Sequence, residues 1–167
     1  MINMTLANII LLITATTTAL MAGLFYAYSC SVNLGLGRLP DAEYIAAMQS
    51  INRAIQNPVF FISFFGTLIL LPLSTYLHFE RPPSMRFWFL LIATVIYFIG
   101  AFGVTVAGNI PLNDALDRFN LQTASQATIA AQRVLFENRW NNLNTIRTVA
   151  STITIVFVII ACLAHDE

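Results

Sequence analysis

Lysine is missing from this sequence, and its eight arginines and eight acidic residues are spread so thinly that only 10% of the 167 residues are charged. Hydrophobic residues make up 57%. A soluble domain of that make-up would lack the polar surface needed to cover itself. The net charge is zero and no run of arginines forms a stripe able to neutralise several phosphates, which excludes nucleic acid as a partner. The only cysteines, Cys30 and Cys162, form no C-x-x-C pair, so a paired-thiol redox centre is excluded. Serine-hydrolase and phosphate-loop patterns are absent. Metal or haem ligation would have to draw on His78, His165 and Cys162. A histidine at a helix end more often caps the negative end of the helix dipole, so neither a metal nor a cofactor is expected.

The scarce charges are also unevenly placed. Residues 1–37, 54–79, 87–113 and 148–165 contain no Asp, Glu, Lys or Arg, and each holds an apolar core near bilayer length. Crossing about 30 Å of hydrocarbon takes roughly 20 mostly apolar residues, and only an intrahelical ladder satisfies the backbone there. The pattern predicts an all-α protein, a four-transmembrane-helix bundle in a single domain, with spans at about 6–28, 58–78, 87–108 and 147–164. The first span is expected to be a retained helix, since no basic segment precedes Arg38 and the apolar run of residues 9–27 is longer than a signal core. No charge lies within these stretches, which argues against proton relays, voltage sensors and ion-coupled carriers. Thr14, Thr16, Thr17 and Thr18 read as helix-packing residues.

Four crossings place both termini and the short 79–86 connection on one face, and the long connections 29–57 and 109–146 on the other. Cys30 and Cys162 then lie at opposite ends of the bundle, beyond the roughly 6 Å a disulfide spans. In the first long connection Asp41 is expected to cap an amphipathic helix packing through Tyr44, Met48, Ile51 and Ile55, with Gln49, Asn52, Arg53 and Gln56 on its other face. Asn57-Pro58 should end it and cap the second span. Residues 108–111, Gly-Asn-Ile-Pro, are expected to end the third span through a left-handed cap. Beyond Pro111 there is neither Gly nor Pro, so residues from about 125 to 164 should form one helix of ~60 Å projecting past the membrane. Along it, Glu137, Asn141, Asn144, Thr148 and Ser151 form a polar seam. Within the spans, Pro72 predicts a kink in the second, and Ala93, Gly100 and Ala107 predict a close-packed stripe on the third.

The candidate site lies on the long-connection face. Gln49, Asn52, Arg53 and Asn57, then Asn109, Asn113 and Asp114, then Trp140, Asn144 and Arg147 are hydrogen-bonding residues at membrane boundaries. They read either as helix caps and a headgroup anchor, or as the polar mouth of an apolar bundle that orients a flat or amphipathic ligand. Arg53, Asn109 and Arg147 are expected to meet in one hydrogen-bonded cluster at the membrane boundary, because a guanidinium near low dielectric needs acceptors.

The same segments carry a family resemblance. Met48-Gln49-Ser50-Ile51-Asn52-Arg53 running to Gln56-Asn57-Pro58, then Phe102-Gly103-Val104-Thr105 with Asn109-Ile110-Pro111-Leu112-Asn113, then Trp140 with Asn144 and Arg147-Thr148 resemble the domain of unknown function 1772, the anthrone oxygenase-like family. The resemblance implies a small four-helix membrane protein, with some fungal members oxidising a polyketide anthrone to an anthraquinone with dioxygen. The family's last motif often holds a second Trp and a His before the Arg, where this chain has Leu143 and Thr145. Two functions are expected on these grounds. One is a cofactor-free protein that binds or oxidises a hydrophobic aromatic compound entering from the lipid bilayer; the other is a non-enzymatic subunit or scaffold for other membrane chains. Six of the eight arginines fall on the long-connection side, which leans that side toward the cytoplasm.

Overall fold

The computed structural model describes residues 5–164, and among these no strand occurs. Helix α1 runs over Leu6–Leu36, α3 over Pro58–Leu77, α4 over Met85–Asp117 and α5 over Gln126–Leu163, each long and apolar enough to cross a membrane. The shorter α2 covers Asp41–Ala54. Thr5, Asn57, Ser84 and Ser125 each accept a hydrogen bond from the backbone N–H three residues on, at 3.1–3.3 Å, and so start the four long helices. The expected Asp41 cap does not form. Pro40 stands at the cap position of α2 without a side-chain bond, and the Asp41 carboxylate instead accepts from Arg133 Nη1 at 2.9 Å.

Interhelical polar contacts fix the direction of each crossing. Thr14 and Ser74 hydroxyls meet at 2.7 Å between α1 and α3, and Thr75 meets Thr94 at 3.0 Å between α3 and α4. Arg86, in the first turn of α4, donates to the Ala161 carbonyl at 3.1 Å and to that of Ala164, at the end of α5. The connection between α3 and α4 therefore shares a face with the C-terminal end of α5, as the charge pattern predicts. Thr14, Thr18, Thr75 and Thr154 also bond the carbonyl four residues back, which satisfies each buried hydroxyl inside its own helix. His78 ends α3 with Nδ1 2.8 Å from the Ser74 carbonyl; His165 lies outside the described residues.

The four long helices are a multi-pass membrane bundle. Its core holds Met21, Phe25, Phe64, Leu71, Leu90, Tyr97 and Val158, while Leu12, Leu20, Ile62, Ile69, Val95, Ile153 and Val156 face outward. A second core lies beyond the opposite end, where α2 packs Tyr44, Ile45 and Met48 against Leu116 of α4 and Ile129, Phe136 and Trp140 of α5. Arg133 ties this cap together. Its guanidinium donates to the Gly37 and Leu39 carbonyls, Asp41 and Glu137 at 2.7–2.9 Å and lies 4.6 Å from the centre of the Tyr44 ring. The 38 residues of α5 make it about 57 Å long, enough to serve both cores.

The third span departs from expectation. Residues 108–111 do not end it: no described residue has a left-handed backbone, and α4 continues through Pro111 to Asp117. Two stretches of wide, i to i+5 turns, Tyr97–Gly103 and Thr105–Asn109, lie just before the proline. Turns of this kind carry more residues than an α-turn, and they reset the face. Ala93, Tyr97, Ala101, Thr105 and Asn109 are all buried at a spacing of four. In a regular α-helix each such step overshoots by 40°, and Asn109 would lie about 160° away from Ala93. The heptad stripe fails for the same reason, since Ala107 is exposed. Gly100 does pack closely: a Cβ there would sit 2.5 Å from Ala150 Cβ.

Gly100→Ala should therefore force α4 and α5 apart, lowering stability by about 1–3 kcal/mol, and Gly100→Ala with Ala150→Gly should recover most of the loss. Thermal melts of the purified protein in detergent check this; a single variant that melts like the parent would contradict the close approach.

Candidate functional site

Where α3 diverges from α4 below the cap, the helices enclose a chamber of about 250 Å³, close to the lower end of small-molecule pockets at roughly 300 Å³. Its apolar wall is aromatic, with Phe25 and Tyr28 from α1, Phe60 and Phe64 from α3, Phe102 from α4 and Trp140 from α5. Phe60 and Phe64 stack at 5.3 Å, and Phe64 and Phe102 rings lie 5.7 Å apart. Phe61 and Phe65 of α3 and Val106 and Ile110 of α4 line the chamber and are exposed, as are the lining residues Gln56 and Asp114 on its polar side.

The polar wall is built around Arg147, which is 6% exposed. Its guanidinium donates from Nη2 to Asn144 Oδ1 at 2.9 Å and from Nη1 to Thr105 Oγ1 at 3.4 Å. It lies over the Phe25 and Trp140 rings, 4.5 and 5.4 Å from their centres. Asn144 is held in turn, donating to Ser29 Oγ at 2.9 Å and to the Phe25 carbonyl at 3.3 Å. Thr148 joins the same group through Ser29 and the Phe25 carbonyl. The seam on α5 thus binds to α1 and aims Arg147 inward. Trp140 donates from Nε1 to Asn113 Oδ1 at 2.9 Å, linking the cap to α4.

Seven of the ten candidate residues line this chamber: Asn52, Asn109, Asn113, Asp114, Trp140, Asn144 and Arg147. The other three do not. Gln49 donates to the Leu116 and Phe119 carbonyls at 2.8 and 2.9 Å, and Asn57 caps α3. Arg53 points away, pairing with Asp117 at 2.5 Å on the surface, and Asn109 lines the chamber with Arg147 but has no side-chain hydrogen bond, so the expected hydrogen-bonded cluster of Arg53, Asn109 and Arg147 does not form. The face of α2 explains this: Tyr44, Ile45, Met48 and Asn52 are its buried residues, which turns Asn52 inward and Arg53 out. Arg133 was not legible as a tie, although its spacing of four from Glu137 was a signal for that one ion pair.

Several buried polar atoms on residues that line the chamber have no partner. Both side-chain polar atoms of Asn109, Nδ2 of Asn52 and Nε of Arg147 are buried without a hydrogen bond. Buried polar groups are nearly always satisfied, and clusters of exceptions call for an explanation. A family model described as anthrone oxygenase matches residues 60–157, more than half of the chain. The chain belongs to the anthrone oxygenase family. No curated protein and no solved structure matches it. The matched region of this family member carries most of the chamber, with Asn52 and the α1 wall supplied from outside it. Leu143 and Thr145 do not line the chamber; Leu143 packs against Gly108, and Thr145 is exposed and bonds the Asn141 carbonyl at 3.0 Å.

Asn144→Leu should take away the shorter of the two Arg147 bonds and the tie to Ser29, lowering stability by about 2–3 kcal/mol. Arg53→Ala, which cuts only an exposed ion pair, should cost less than about 1 kcal/mol. Chemical or thermal denaturation of both variants checks the contrast; equal losses would place Arg53 and Arg147 back in one unit.

Proposed function

We propose that the chamber binds a flat hydrophobic aromatic compound from the bilayer and that the protein oxidises it with dioxygen. The observation that carries this reading is the aromatic-walled chamber whose lining also holds unpartnered amides and a guanidinium, with exposed apolar residues of α3 and α4 among its walls. An apolar wall with a few convergent polar groups is how small-molecule sites fix orientation. In the reaction a methylene between aromatic rings becomes a ketone: one dioxygen is consumed, the substrate gives up four electrons, one oxygen atom enters the product and the other leaves as water. The reduced substrate supplies all the electrons, so no separate reductant is needed. Asp114, a carboxylate lining the chamber, is the group suited to accept the proton when the substrate carbon ionises.

Family membership supports the reaction class, and the chamber supports the binding step. Purification from native membranes tests the reading. An aromatic molecule recovered in fixed proportion, together with uptake of one dioxygen per ketone formed from an added anthrone, is the expected result. Constant stoichiometry with other membrane chains, with no bound molecule and no oxygen uptake, would instead support a non-enzymatic subunit.

We also infer that the cap faces the cytoplasm, because Arg38, Arg53, Arg118, Arg133, Arg139 and Arg147 lie on that side and only Arg81 and Arg86 on the other. With Cys30 and Cys162 replaced by Ser, a Ser50→Cys probe on the exposed face of α2 should resist a membrane-impermeant thiol reagent in intact cells. It should react in inverted vesicles; the opposite result reverses the orientation.

A further inference from the structure

The charge inside the chamber is unbalanced. Arg147 takes part in none of the ion pairs among the described residues, which run through Arg53 and Arg133. Both of its hydrogen bonds go to neutral oxygens, those of Asn144 and Thr105, and its Nε is buried without a partner. A buried guanidinium ordinarily has a carboxylate or another anion against it, because desolvation without a counterion is costly. Asp114 lines the same chamber but is exposed and forms no ion pair with Arg147.

The unpartnered atoms favour one kind of ligand group. Arg147 Nε, Asn109 Nδ2 and Asn52 Nδ2 are donors, and Asn109 Oδ1 alone is an acceptor. Asn109 is 1% exposed and Asn52 and Arg147 are each 6% exposed, so bulk water does not reach them freely. Three donors and a fixed positive charge suit an acceptor that carries negative charge. Donors of this type bind charged oxygens about twice as strongly as neutral ones.

We propose that the occupant of the chamber is an acidic aromatic amphiphile, a flat apolar body bearing one ionised oxygen such as a phenolate, enolate or carboxylate, with Arg147 as the counterion and the Asn109 and Asn52 amides as additional donors. This deepens the binding reading given above and rests on it. The protein then selects among bilayer-soluble aromatics by charge at one end, while the Phe60, Phe64 and Phe102 wall accepts the ring system.

The test uses the full chain in phosphatidylcholine nanodiscs, with empty nanodiscs to subtract partition into lipid. The probes are anthracene-9-carboxylate and its neutral analogue anthracene-9-methanol, followed by fluorescence. The carboxylate should bind at least about tenfold more tightly, the factor expected of one charged hydrogen bond. Arg147→Met should reduce its affinity to that of the alcohol and leave the alcohol within about twofold of its original value, while Arg147→Lys should keep the preference. Equal binding of both probes by the parent protein, or a preference that survives Arg147→Met, overturns this proposal and leaves the chamber reading standing. If Arg147→Met does not fold, the parent comparison decides alone. No binding of either probe above empty nanodiscs overturns both. Decanoate, an acid on an aliphatic chain, should compete weakly; displacement of the anthracene acid at equal concentration would keep the charge pairing but overturn the aromatic part of the proposal.

Discussion

The register of α4 is the constraint on which the site depends. A bilayer forces the backbone to remain helical, so α4 cannot turn a side chain inward by unwinding. It does so by widening its turns over Tyr97–Gly103 and Thr105–Asn109. This keeps Ala93 and Tyr97 in the bundle core and brings Thr105 and Asn109 around to the chamber on the same face. Without the wide turns Asn109 would point toward lipid, and Arg147 would lose the Thr105 hydroxyl. Wide turns recur at functional sites for this reason, and here the polar half of the chamber lies next to them.

The cap and the chamber are not separable structures. Trp140 belongs to the cap core with Phe136 and Tyr44, stands 5.6 Å from Tyr28, and presents its ring to the Arg147 guanidinium. One turn further along α5, Asn144 binds α1 and orients Arg147. A single unbroken helix thus transmits the placement of the cap to the charge in the chamber. The polar seam is buried at Asn144 and Ser151, and through Asn144 and Thr148 it forms the contact between α5 and α1 that makes this possible.

How far the sequence could be read follows from which forces it encodes locally. The four spans, the Asn57-Pro58 helix start and the unbroken α5 were legible because they depend on charge depletion, capping and the absence of Gly and Pro. The convergence of Asn109, Trp140, Asn144 and Arg147 was legible as well, through their shared position at membrane boundaries. What could not be read was side-chain direction. Arg53 was grouped with Arg147 because both sit near a span, but packing of Tyr44 and Met48 rotates α2 so that Arg53 meets Asp117 outside. Continuation of α4 through Pro111 was equally hidden, since a single sequence carries no mark of a wide turn and Gly-Asn-Ile-Pro ordinarily signals a stop.

The departures at Leu143 and Thr145 bear on chemistry less than their motif position suggests. On α5 the positions that face the chamber are Trp140, Asn144 and Arg147, spaced four and three apart, whereas Leu143 and Thr145 lie to either side of that stripe. A histidine at position 145 would occupy the exposed face held here by Thr145 and could not serve as a proton acceptor inside this chamber without rotation of α5. That rotation would break the Asn144 contacts to Ser29 and Phe25 together with the Arg147 contacts to Thr105 and Phe25. Besides Arg147, the ionisable side chains that line the chamber are Asp114 on α4 and Tyr28 on α1, so none of the wall's possible proton acceptors depends on position 145.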